Sequence, residues 1–116
     1  MNKDYTGIVV EESLNDNRVL NKLDIKKIRI SDDEDAEDRW HMYEVMVEEK
    51  EIMELSKHII GDWYMHFWKN REIIAVFKDK TFTFNYDDKN TWNEVLKYGR
   101  KIGIPEEELD FPIDGL

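Results

Sequence analysis

The chain has 116 residues, which sets the expectation of a single domain spanning 1–116, long enough to bury roughly two-thirds of its unfolded surface in one core. Cysteine is absent, which excludes disulfides and thiolate metal sites, while a hydrophobic content of 41% with four Trp, five Tyr and five Phe excludes a disordered chain. A net charge of -10 removes any overall attraction for nucleic-acid phosphates or anionic lipid, and no apolar run approaches the ~20 residues of a membrane span.

Residues 1–6 lead into no apolar signal region, so a soluble cytoplasmic protein is expected. Gly7 is followed by Ile8-Val9-Val10, whose β-branched side chains start a first strand. Residues 13–17 are a polar break, and residues 18–23 fit either a helical turn or a strand lead-in. Ile25, Ile28 and Ile30 mark a second strand. Lys26-Lys27 interrupts its alternation, which predicts a bulge there or a later strand start at Lys27. Residues 32–38 are a loop, because adjacent carboxylates repel and no apolar period exists. Most of the negative charge is local: residues 31–54 hold eleven acids against two bases, Arg39 and Lys50. A run of this kind reads as a solvated face that keeps the protein soluble, or as a surface for a basic partner.

A third strand covers 40–47, with His41, Tyr43, Val45 and Val47 on one face and Trp40, Met42, Glu44 and Met46 on the other. Residues 49–60 read as a helix on the spacing of Ile52, Leu55 and Ile59, with Gly61 placed to end it in a left-handed cap. Residues 62–86 hold three strand-like runs separated by Lys69-Asn70-Arg71 and Asp79-Lys80, the pattern of an antiparallel meander. Residues 88–102 form a second helix with Trp92, Val95, Leu96, Gly99 and Ile102 on one side. Thr91, Asp88 and Asn90 are its candidate caps, and Gly103 and Pro105 stop it. Pro105 and the acids after it suit one more helical turn.

The order strand, strand, strand, helix, three strands, helix predicts an α+β fold: a mainly antiparallel sheet of five to six strands with two helices packed on one face. The strand-helix-strand unit at 40–69 is expected to form a crossover.

Val9-Val10-Glu11-Glu12-Ser13, the run Trp63-Tyr64-Met65-His66-Phe67-Trp68, Tyr98-Gly99, Gly103-Ile104-Pro105 and Leu109-Asp110-Phe111 together resemble a family of small uncharacterised prokaryotic proteins. The resemblance spans most of the chain. It implies no activity and lends no role to any residue.

No cofactor, metal site or catalytic residue is assigned from the sequence. The three histidines, His41, His58 and His66, show neither HxH nor HExxH spacing. Asp33, Asp35, Glu37 and Glu44 fit four places of a calcium-loop frame, yet Asp38 stands where that frame needs glycine. Ser13, Ser31 and Ser56 lie in no strand-to-helix elbow, and no phosphate-cradling glycine pattern occurs. The run 62–69 is the exception to plain patterning. Trp63, Met65 and Phe67 face one way and Tyr64, His66 and Trp68 the other, so neither face is polar. Either the N-terminal strands or the 109–113 tail cover the second set, or it lines a pocket or interface. The candidate binding residues are therefore Tyr64, His66 and Trp68, with His41 and Tyr43 on a neighbouring strand.

The expected role is a binding protein acting on a protein partner or on a second copy of itself. The alternatives are a small-molecule-binding protein or enzyme with its site around His66, and then an RNA-binding sheet. The overall acidity argues against RNA, although Lys69, Arg71, Lys78 and Lys80 cluster at the meander turns.

Overall fold

The computed structural model describes residues 3–116. Its six strands are β1 (Tyr5–Val10), β2 (Asp24–Ile30), β3 (His41–Val47), β4 (Met65–Lys69), β5 (Glu72–Phe77) and β6 (Lys80–Asn85), and its helices are α1 (Glu49–Ser56) and α2 (Asn93–Lys101). The strands form one sheet in the order β2-β3-β1-β4-β5-β6, antiparallel at every junction. The α+β class and the strand count are as expected. β1 lies between β3 and β4 and opposes both, so those two run parallel and the unit β3-α1-β4 is a crossover over β1. The meander closes through Asn70-Arg71 and Lys78-Asp79, where Asn70 and Asp79 adopt φ of 56° and 57°. Asn and Asp tolerate that left-handed conformation better than other side chains. The bulge anticipated at Lys26 is present, as a register shift between Ile25 and Lys27.

The helices do not share a face. α1 supplies Ile52 and Leu55 to a core with Tyr5, Val9, Val45, Val47, Met65, Phe67, Ile74 and Val76. α2 supplies Val95 to a second core with Trp68, Ile73, Ala75, Phe77, Phe84, Trp92, Ile104, Leu109 and Phe111. The physical reason lies in β4 and β5. Both are apolar on both sides, and five consecutive residues of β5 are buried, so each side of the sheet needs a cover. On the second side α2 is joined by residues 104–113, with Phe111 wholly buried. The 109–113 tail thus covers the second aromatic set.

Helix α1 begins with a reciprocal cap between Glu48 and Glu51 and ends at Ser56, short of the expected Ile60. The chain leaves the helix because Ile59 bridges Leu14: Asn15 N donates to His58 O at 2.8 Å and Ile60 N to Ser13 O at 2.9 Å. Gly61, at φ 57°, therefore belongs to the turn before β4 and not to a helix cap. Asp88 caps a 3-10 turn, Lys89–Trp92, that runs straight into α2. Residues 17–22 form a 3-10 helix, which decides between the two readings of that segment, and Glu106–Glu108 adds the turn expected after Pro105.

Gly7 fixes the centre of the sheet. It pairs directly with Phe67, and a Cβ at residue 7 would fall inside the space of the Phe67 ring. Gly7→Ala is expected to lower stability by about 2–3 kcal/mol through overpacking. Phe67→Leu in the same chain should recover part of that loss, a coupling that urea melts of the two single variants and the double variant would read. By contrast, residues 32–38 are all exposed, and Arg39 is bonded there to the backbone carbonyls of Asp33 and Glu34 rather than to a side chain. Replacing those acids with Ser should change stability by no more than about 1 kcal/mol.

Candidate functional site: a groove beside β1 and β4

β1 and β4 pair only at Thr6↔Trp68 and Gly7↔Phe67. Beyond Gly7 the ladder of β1 with β3 continues, through Ile8↔Glu44, Val9↔Tyr43 and Val10↔Met42. A groove of about 680 Å³ lies beside this end of β1 and β4, against the segment that follows α2. Ile8, Val10 and Met65 contribute apolar surface to its lining, together with Tyr64 and His66. Trp40 and Trp63 meet edge to face in its wall, with ring centroids 5.1 Å apart, and Trp40 is 45% exposed. The lining also includes Ile104, Pro105 and Pro112 from the segment after α2. Asp62, Glu107, Glu108 and Asp110 line it too and are exposed. None of these four carboxylates takes part in an ion pair among the described residues.

Tyr64, His66 and Trp68 are brought together as expected, but the tail is their main neighbour. Tyr64 donates its hydroxyl to the carbonyl of Glu108, and its ring packs on Phe77 and Phe111. His66 sits between Trp68 and Phe111, each 5.5 Å away by ring centroid. Its Nε2 lies 2.6 Å from Pro112 O, which can only accept, so that nitrogen carries a proton. Trp68 is buried. Tyr64 and His66 still contribute to the groove lining, and Trp68 belongs to the core beneath. Burial pushes the His66 pKa below its ordinary value, although the Pro112 bond and the nearby Asp110 charge act the other way. Burial also raises the Tyr64 phenol, and the charges of Asp110 and Glu108 raise it further.

His41 and Tyr43 are not part of this site. They lie on the α1 face of β3, opposite Tyr64, His66 and Trp68, because Tyr43 is in step with Val45 and Val47. They form a separate polar cluster with the turn after β1. His41 Nδ1 lies 2.7 Å from Glu12 and its backbone N donates to the same carboxylate, while Tyr43 donates to Glu11 at 2.6 Å. The hydrogen bond to Glu12 raises the His41 pKa. Burial acts to raise Glu12, but its bonds from His41 outweigh that and leave its pKa lowered. The Tyr43 phenol is pushed up to about 12, first by its bond to Glu11 and then by burial. Glu44, on the other face of β3, accepts from Leu116 N at 2.8 Å.

The sequence did not single out Trp40, Trp63, Glu107, Glu108 or Asp110 as site residues. Trp40 and Trp63 belong to separate strand patterns, and their meeting depends on where β1 inserts. No family model, curated protein or solved structure matches the chain.

The two histidines should respond to pH with opposite sign. His41 has a raised folded pKa, so its contribution is whole below its ordinary value of 6.5 and fades as pH rises through the raised value. His66 has a lowered folded pKa, so its contribution is whole above 6.5 and is lost as pH falls through the lowered value. In melts between pH 5 and 8, the deficit of His41→Gln relative to wild type should therefore narrow toward the alkaline end. For His66→Gln, the deficit should narrow toward the acid end. Parallel pH profiles for the two variants would contradict these assignments.

Proposed function

We propose that the protein is a binding protein and that the groove beside β1 and β4 holds a segment of a different protein. The observation that carries this reading is the exposed Trp40, held edge-on by Trp63 beside an apolar lining, while Trp68 and Trp92 are buried in the core. Large aromatics at a surface recess are the usual anchors of protein contacts. Self-association through this face is the weaker form of the reading. A two-fold contact would set Asp62, Glu107, Glu108 and Asp110 against the same four carboxylates of the second copy. A volume of about 680 Å³ also falls within the usual range of small-ligand sites, which keeps a small-molecule ligand near His66 as the second reading. The same four carboxylates disfavour an RNA strand.

A photo-reactive side chain at position 40 tests the proposal. It should cross-link one protein species, and that species, once purified, should bind wild type at least about tenfold more tightly than Trp40→Ala. The exposed Trp40 can be removed without opening the core, so the variant should melt with wild type. Equal binding by both proteins would place the contact elsewhere, and a rise of mass with concentration in sedimentation would return self-association to the front.

A further inference from the structure

The carboxylates at the groove say what kind of segment it takes. Asp62 approaches from the turn before β4, and Glu107, Glu108 and Asp110 come from the segment after α2. All four are exposed, and among the described residues no lysine or arginine lines the groove. The fold has local cations to spare elsewhere, such as Lys89 over Trp92 and Tyr86, and Lys80 over Tyr98. At the groove, an aromatic wall and negative charge have no such cation among the described residues. Trp40 and Trp63 can receive an ammonium or guanidinium on a ring face, and a nearby carboxylate strengthens that contact.

The shape of the opening adds a second property. Ile8 and Val10, two residues apart on β1, both line it, so apolar side chains at alternate positions of an extended chain can lie on them.

We infer that the groove binds an extended, basic segment of a partner protein, with apolar residues on Ile8 and Val10 and arginine or lysine between the tryptophan pair and the carboxylates. This rests on the reading of the groove as the binding site.

Three eight-residue peptides alternating valine with arginine, serine or glutamate would test it by calorimetry and tryptophan fluorescence. The arginine peptide should bind, the serine peptide at least about tenfold more weakly and the glutamate peptide not at all. Asp62→Asn, Glu107→Gln and Asp110→Asn combined should weaken the arginine peptide at least about tenfold, as should raising salt from 50 to 500 mM. Lys97→Gln, on exposed helix surface away from the groove, serves as the neutral control. Equal affinity for the arginine and serine peptides, with Trp40→Ala weakening both, would overturn the basic segment and leave the groove as the site. Free arginine competing at the same concentration as the peptide would overturn the extended segment in favour of a small cation. Absence of binding by all three peptides would overturn both this inference and the reading of the groove on which it rests.

Discussion

The structure depends on a strand pair that cannot show either face to water. β4 and β5 bury Phe67, Ile74 and Val76 on one side and Trp68, Ile73, Ala75 and Phe77 on the other. Fully burying each such side chain favours folding by roughly 1.5–3 kcal/mol, so leaving either side open would cost more than a marginally stable domain can spare. One helix cannot serve both sides. α1 takes the first through its place in the crossover. On the second, α2 needs help, and the tail supplies it by inserting Phe111 among Tyr64, His66, Phe84 and Trp92. The close approach of Leu109 to Gly99 belongs to the same arrangement, since a Cβ at Gly99 would meet Leu109 Cδ1 at 2.7 Å.

What could be read in the sequence follows from range. The meander was legible because its signals are local: alternation within each run, and polar residues able to turn between them. The bulge at Lys26 was legible for the same reason, as a break in a period of two. The end of α1 was not. Ile59 and Ile60 continue the helical spacing of Ile52 and Leu55, and only the distant Leu14 draws the backbone away. The side taken by each helix was also hidden. An amphipathic helix records that it has an apolar face, but not which side of a sheet that face will meet.

The candidate site was half legible on the same terms. Tyr64 and His66 stood out because a strand with no polar face needs an explanation. Their partners did not, because the tail that bonds Tyr64 and His66 reads as a loop with a few apolar residues. A place for His41 and Tyr43 in the site requires β3 to neighbour β4. The insertion of β1 between them breaks that adjacency, and the strand period then puts the two residues on the other face.

The same insertion gives the groove its character. β1 must satisfy β3 along its whole length, yet its pairing with β4 is confined to the position where Gly7 admits the Phe67 ring. Past that point β4 runs on through His66 and Met65 to Tyr64 and Trp63, whose rings pack in opposite directions, Tyr64 toward Phe111 and Trp63 toward Trp40. The groove that both help to line contains no residue of either helix. The tail that closes the second core must then pass this opening, and its acids, too costly to bury beside Phe111, face outward around it. The apolar lining and the negative surround therefore have one origin, the need to cover both sides of β4 and β5 with a single short chain.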